Sequence, residues 1–188
     1  MKRPLTIVSV LISCMLIPIP LIAQTETFVP ATDITFTIST ERNRYGSREP
    51  ITVTYQILNV SNAPVYVPQA WEVKCPGKPH VWAWFENRAG KHFVPGYGGS
   101  CSPALQTIAQ RMSKEAILLK PGEHANGTLR LDPTLFGGLP PGRYRIEAVL
   151  TCWNDDEFTA AERKELQNVG SRFVRGEIPA SANITLMP

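Results

Sequence analysis

Residues 49–67 have the sequence EPITVTYQILNVSNAPVYV, which indicates the class of fold. Within it, Ile51, Val53, Tyr55 and Ile57 alternate with threonine and glutamine. An apolar side chain at every second position is typical of an antiparallel strand that buries one face. The SNAP sequence has turn composition, and the apolar alternation resumes after it. The stretch therefore predicts a strand, a turn and a second strand.

The same alternation recurs most clearly in YRIEAVL, where Tyr144, Ile146, Ala148 and Leu150 share a face. We expect these side chains and those of residues 51–57 to line one core between two sheets. Other stretches repeat the pattern on a smaller scale, and proline and glycine turns separate them.

Two further pairs of short strands predict hairpins. Residues 80–85 and 91–95 flank the turn sequence NRAG, and residues 115–120 and 127–132 flank PGEHAN. Only residues 155–170 have a clear helical pattern, in which a threonine and a glutamate are spaced as a capping box and a glycine ends the helix.

These elements predict an all-β protein, an antiparallel two-sheet sandwich of about seven to nine strands with one short helical insertion near 155–170. The stretches EPITVTYQILNVSNAPVYV, LKPGE and LPPGRYRIEAVL resemble the framework of bacterial immunoglobulin-like sandwich domains of the BsuPI (proteinase inhibitor) type. The resemblance covers residues 33–152 and implies an immunoglobulin-like fold. It also implies that Tyr144 anchors a corner through its hydroxyl.

The amino terminus predicts export. Lys2 and Arg3 precede an apolar run from Leu5 to Ile22, and Ala23 is a small residue at a plausible cleavage site. We expect a signal peptide over residues 1–23, a short leader over 24–32 and one sandwich domain over 33–188, with no membrane insertion after cleavage. The alternatives are an uncleaved anchor and lipidation of Cys14 in the sequence LISC.

The charge balance gives no indication of nucleic-acid binding. The chain has 19 lysines and arginines against 16 acidic residues, and removal of Lys2 and Arg3 lowers its net charge from +3 to +1. Basic stripes that track a phosphate backbone are the sign of nucleic-acid binding, and the sequence has none.

Cys75 and Cys101 bound an insertion and are predicted to form a disulfide, since paired thiols of exported proteins oxidise. Cys152 alternates with Leu150 and is predicted to be a buried free thiol, with pairing to either other cysteine as the alternative. Together with His80 and His92, Cys75 and Cys101 would supply zinc-ligating atoms. However, the closely spaced ligand pairs of structural zinc sites are missing, so neither a metal nor a cofactor is predicted.

Aromatic residues between 82 and 97 are the candidate binding residues, since tryptophan and tyrosine are enriched at recognition surfaces. They are Trp82, Trp84, Phe93 and Tyr97. No hydrolase motif pairs a nucleophile with a base. The sequence therefore predicts a secreted, non-enzymatic module that binds a protein or envelope component. The alternatives are a proteinase inhibitor acting through the loop near 86–104, and an enzyme or carbohydrate-binding protein that uses residues 82–97.

Overall fold

The computed structural model describes residues 27–69, 80–95, 116–154, 158–168 and 170–188. Within these ranges the chain forms twelve strands and one α-helix, α1 (Ala160–Asn168). The strands are β1 (Phe28–Pro30), β2 (Ile34–Thr40), β3 (Arg44–Gly46), β4 (Ile51–Asn59), β5 (Val65–Pro68), β6 (Val81–Asn87), β7 (His92–Phe93), β8 (Ala116–Leu119), β9 (His124–Leu131), β10 (Gly142–Thr151), β11 (Phe173–Arg175) and β12 (Glu177–Met187).

One layer of the sandwich is the antiparallel sheet β2-β4-β9. Its central strand is β4, the first strand of the stretch 49–67. Ile51, Val53, Tyr55 and Ile57 are all buried, while the residues between them face outward or lie partly exposed. The period-two pattern thus sets which face of the sheet meets the core.

The facing layer is the sheet β3-β12-β10-β6-β7, in which β10 is central. Tyr144, Ile146, Ala148 and Leu150 are buried and join the side chains of β4 in one continuous apolar cluster. The prediction that these two strands line one core is confirmed, and so is the prediction of an all-β sandwich.

A turn near the start of β10 is fixed by the hydroxyl of Tyr144, which donates a hydrogen bond of 2.8 Å to the carbonyl oxygen of Pro140. The ring itself is buried against Phe85. The predicted corner role of Tyr144 is confirmed, since its hydroxyl holds the backbone four residues upstream.

A third sheet, β1-β11-β5-β8, continues the first layer. β5 and β8 pair antiparallel, as β4 and β9 do. Since β5 follows β4 in the chain and β8 precedes β9, both strands of the β4-β9 ladder continue past Asn59 into the β5-β8 ladder. The backbone of Asn59 is hydrogen-bonded to the backbone of Gly122 and Glu123. The Pro-Gly turn therefore lies where the β4-β9 ladder meets the β5-β8 ladder. The predicted hairpin around PGEHAN is therefore wrong: β8 and β9 follow one another along one bent edge, and each pairs with a different partner.

The helix α1 covers a second, smaller cluster of buried side chains, and its Leu166 contributes to that cluster. Thr159 and Glu162 exchange hydrogen bonds as the predicted capping box. Gly170, at φ 65°, ends the helix as its backbone and that of Ser171 bond back into the last turn. The predicted helical insertion is confirmed. Among the residues that the structure describes, no helix has the length and apolar content needed to span a membrane.

The structure adds short strands to those expected from the sequence. β1 lies within residues 24–32, the segment predicted to be a short leader. It forms a strand there because Phe28 and Val29 are buried and β1 pairs with β11. Strands of two or three residues such as β3 and β7 are too short to show a period of two, so the predicted number of strands was lower than the twelve that the described ranges contain. The predicted signal peptide over 1–23 and Cys14 lie outside the described residues.

Candidate binding surface

Trp82 and Trp84 lie side by side on the outer face of β6. They alternate with the buried residues Val81, Ala83 and Phe85, and both are partly exposed. In the register with β10, Trp82 lies opposite Val149 and Trp84 opposite Glu147. The core side of the strand is already filled, so these two indoles are not needed to complete it.

The two tryptophans line a shallow groove of about 370 Å³. Its other lining residues come from the neighbouring strands: Val149 and Thr151 from β10, and Glu177 from the first position of β12. Thr151 and Glu177 are direct partners in the ladder. The groove therefore combines an aromatic and aliphatic floor with a hydroxyl and a carboxylate at one end, which is a usual composition of a binding site.

Trp82 and Trp84 together form what we call the aromatic surface. The hairpin β6-β7 borders this surface at its Trp84 end. The ring of His92 lies 6.2 Å from that of Trp84, and His92 Nε2 lies 3.3 Å from a carboxylate oxygen of Glu86. The indole nitrogen of Trp84 is shielded from solvent and has no hydrogen-bond partner among the described residues. Asn87 holds the hairpin turn, since its side-chain oxygen accepts hydrogen bonds from the backbone of Ala89 and Lys91.

A network of ion pairs borders the aromatic surface. Arg145 Nη2 lies 3.1 Å from Glu86 Oε2, and Arg145 also pairs with Glu147. The hydrogen bond that Arg145 donates to Glu86 and the negative charge of Glu147 raise the pKa of Arg145 above its ordinary value. This guanidinium is therefore engaged by two carboxylates.

Phe93 does not join the tryptophans, although the sequence placed it with them. It pairs with Phe85 in the β6-β7 ladder, so its ring points to the core side of the sheet. There it lies edge-on to Tyr144, with ring centroids 6.0 Å apart, and packs against the main core. A strand of two residues is too short for its sequence to show which side chain faces the core. The pairing of Phe93 with Phe85 places its ring on the core side. Tyr97 lies outside the described residues.

Cys152 is buried, with 1% of its surface exposed, and its thiol is free. Burial raises the pKa of this thiol to about 12. Cys75 and Cys101, the predicted disulfide, lie outside the described residues, as does most of the insertion 75–101. The disulfide stays a prediction.

The two histidines that the sequence grouped with Cys75 and Cys101 lie at opposite ends of β6. His80 precedes the strand, and its Nδ1 lies 3.0 Å from the carbonyl oxygen of Thr151. His92 pairs with Glu86, near the other end. The five residue-to-residue steps from Val81 to Glu86 span about 17 Å of extended chain. His80 and His92 therefore cannot bind one ion together.

Three residues of the groove were not predicted: Val149, Thr151 and Glu177. The alternation in β10 already shows that Val149 and Thr151 face away from the core. What the sequence does not show is that β6 pairs with β10 in the register that sets Val149 beside Trp82.

No protein-family model and no curated protein matches the chain. Solved structures give similarities at low identity. A β-glucosidase from Erythrobacter marinus is 15% identical with a TM-score of 0.41, and the match covers 82% of this chain and 15% of that chain. A mutant β-glucosidase from Listeria innocua in complex with laminaribiose is 9% identical with a TM-score of 0.38, covering 82% of this chain and 16% of that one. The chain thus spans about one sixth of the length of these enzymes. A CARDB domain from Pyrococcus furiosus is 16% identical with a TM-score of 0.37, covering 82% of this chain and 94% of that domain. The BsuPI-type resemblance stays a prediction.

Proposed function

We propose that the protein is an exported, non-enzymatic binding module whose recognition surface is the outer face of β6 and β10. The observation that supports this most strongly is the pair Trp82 and Trp84, partly exposed and adjacent on an outer sheet face. Tryptophan dominates the binding energy of many protein interfaces because it buries a large area and has few side-chain rotamers to lose.

The surroundings of the tryptophans fit a protein partner. Val149 extends the apolar floor, and polar groups of Thr151 and Glu177 lie at its rim. An apolar centre with a polar rim is the common arrangement of protein interfaces. The groove is rigid, because its central strand β10 pairs with both β6 and β12 along this stretch. A rigid surface loses little conformational entropy when it binds.

A glycan is the second candidate partner, and the position of Glu177 and Thr151 beside Trp82 favours it. A carboxylate and a hydroxyl accept hydrogen bonds from sugar hydroxyls, while an indole face covers the apolar face of the ring. Soluble oligosaccharides added as competitors separate the two candidates, since only a glycan site loses its partner to them.

Photo-crosslinking from within the groove tests the proposal. A photoreactive amino acid replaces Val149 and, as the matched control, the exposed Thr128 on the opposite sheet. Both proteins are expressed in the native host and irradiated. We expect one specific adduct from position 149 and none from position 128.

The same crosslink is then repeated with Trp82→Ala and Trp84→Ala, and with Leu118→Ala as a control for loss of an exposed apolar side chain elsewhere. The tryptophan variants should lose the adduct, and Leu118→Ala should keep it. An adduct that forms equally from position 128, or that survives both tryptophan changes, contradicts the proposed surface.

Export itself is tested by the intact mass of the protein recovered from its native host. Cleavage after Ala23 leaves a chain that begins at Gln24. A mass that retains residues 1–23, or that carries a diacylglycerol on Cys14, contradicts this part of the proposal.

A further inference from the structure

A second groove lies on the same sheet, beyond the ion pairs of Arg145. It has a volume of about 720 Å³, and arginines and asparagines provide most of its lining side chains. Four arginines line it against one carboxylate, that of Glu86. This is a dense local positive charge in a chain whose formal net charge is only +3.

The strand register explains why these arginines gather in one row. Arg44 of β3 pairs with Thr185 of β12, and Thr185 pairs with Arg143 of β10. Arg88 follows directly on Asn87, the residue of β6 that pairs with Tyr144. Neighbouring strands are about 4.8 Å apart, so the row from Arg44 to Arg88 crosses about 15 Å of sheet.

Three of the four arginines have no carboxylate partner within the described part of the chain. Arg145 is engaged by Glu86 and Glu147. Arg44, Arg88 and Arg143 are exposed and make no ion pair with any residue that the structure describes. The unpaired positive charges of these three residues repel one another, and an anion in the groove would lower that repulsion.

The neutral lining also favours an acceptor ligand. The side-chain oxygen of Asn87 already accepts two backbone hydrogen bonds, so its amino group is the part left to donate. Guanidinium groups only donate. The groove therefore offers mainly hydrogen-bond donors, and its best complement is a group with several acceptor oxygens and more than one negative charge.

We propose that this groove binds a phosphate monoester. A phosphate monoester carries a charge of about −1.5 to −2 at neutral pH and three acceptor oxygens, one for each unpaired guanidinium. A single carboxylate has two oxygens and one charge and would leave two of the three arginines uncompensated. The volume of the groove exceeds that of a bare phosphate and lies in the range of small-molecule sites, so the ester's organic part also has room.

This inference does not rest on the proposed function, because the arginine groove and the tryptophan groove share no lining residue. If the arginine groove does not bind a phosphate ester, the proposed role of Trp82 and Trp84 is unaffected. If the tryptophans bind no partner, the proposed phosphate site is likewise unaffected.

Isothermal titration calorimetry on the purified protein tests it with three ligands that share one sugar ring: glucose 6-phosphate, glucuronate and glucose. Inorganic phosphate is the fourth ligand. We expect glucose 6-phosphate to bind at least tenfold more tightly than glucuronate, inorganic phosphate to compete with it, and glucose not to bind. Vesicles of phosphatidylcholine with and without phosphatidic acid show whether a lipid headgroup can supply the same chemistry.

The variants Arg44→Gln, Arg88→Gln and Arg143→Gln each remove one unpaired charge. Each should weaken binding of glucose 6-phosphate about tenfold, since a hydrogen bond to a charged group is lost. Arg130→Gln is the matched control, because Arg130 is exposed on β9 of the opposite sheet and the substitution removes the same charge. It should leave the affinity unchanged.

The proposal is overturned if glucose 6-phosphate does not bind, if glucuronate binds as tightly, or if Arg130→Gln weakens binding as much as Arg143→Gln. An acidic peptide that binds through the same arginines in place of the phosphate ester would also overturn it. Since all four arginines tested are exposed, circular dichroism should show that every variant folds.

Discussion

The side-chain nitrogen of Asn59 donates a hydrogen bond of 2.9 Å to the carbonyl oxygen of Leu119, sixty positions away in the sequence. Asn59 is fully buried, and its amide also bonds to the carbonyl of Ala63, while its oxygen accepts from Ser61. This one side chain therefore satisfies the backbone at the point where the β4-β9 ladder passes into the β5-β8 ladder. It joins the two parts of that layer of the sandwich.

Replacing Asn59 with alanine should destabilise the protein strongly. The substitution removes the amide donor to the buried carbonyl oxygen of Leu119 and the acceptor of the Ser61 N–H, while the carbonyl of Ala63 keeps the hydroxyl of Ser61 as a donor. A buried polar group left without a partner costs about 1–3 kcal/mol. We expect the free energy of unfolding to fall by about 3 kcal/mol in urea denaturation. Asn126→Ala is the control, since Asn126 is exposed and its side chain bonds, among the described residues, to Gln56 of the neighbouring strand alone. Equal losses from the two changes would contradict the role given to Asn59.

Gly127 is required by the ring of Tyr55, which lies opposite it in the β4-β9 ladder. A Cβ added at position 127 would overlap the hydroxyl end of that ring. Gly127→Ala should therefore cost about 2 kcal/mol, as overpacking of a core usually does. The cost should shrink in a Tyr55→Leu background, which a double-mutant cycle measures. A cost that is the same in both backgrounds would show that the ring is not its cause.

The thiol of Cys152 should make stability depend on pH in the alkaline range. Burial raises its pKa in the folded protein from 9.0 to about 12. Between these two pH values the unfolded chain has released the proton and the folded chain still holds it. Stability is therefore fully present below pH 9 and falls as the pH rises towards 12, by about 1.4 kcal/mol per pH unit. Unfolding free energies of the wild type and Cys152→Ala, measured from pH 7 to 11, should differ by a constant below about pH 8 and converge above pH 9 with that slope. Parallel curves throughout would mean that Cys152 is not buried as a neutral thiol.

The predicted disulfide between Cys75 and Cys101 is open to a differential alkylation experiment. In the unreduced, folded protein none of Cys75, Cys101 and Cys152 should react, because the first two are predicted to be oxidised and Cys152 is buried. In unreduced protein unfolded by urea only Cys152 should react, and after reduction all three should. Modification of Cys75 and Cys101 without reduction rules out the bridge, and protection of Cys152 in urea assigns it to a disulfide.

Much of the sandwich follows from local pattern. Alternation fixed the inward faces of β4 and β10, and the capping residues Thr159 and Glu162 and the terminal Gly170 fixed the ends of α1. These features depend on near neighbours in the sequence, and so a single sequence carries them.

The remaining features depend on which strands meet. The Pro-Gly turn at 121–122 has the same composition in a hairpin and in a bent edge strand, and only the backbone contacts of Asn59 distinguish the two. The row of Arg44, Arg88 and Arg143 comes from β3, from the turn after β6 and from β10, which are far apart in the sequence. The same is true of Glu177 beside Trp82. Both surfaces follow from long-range register, which periodicity does not encode.

We propose that Trp82 and Trp84 contact the partner, and their indole N–H signals in a nitrogen–proton correlation spectrum report on that contact. The chain has four tryptophans, and the fully buried Trp153 serves as an internal control. Substitution of each tryptophan in turn by phenylalanine assigns the signals. On addition of the partner identified by crosslinking from position 149, the signals of Trp82 and Trp84 should shift or broaden, while that of Trp153 should stay in place. Unchanged signals from Trp82 and Trp84 in a complex that demonstrably forms would show that these two residues do not contact the partner.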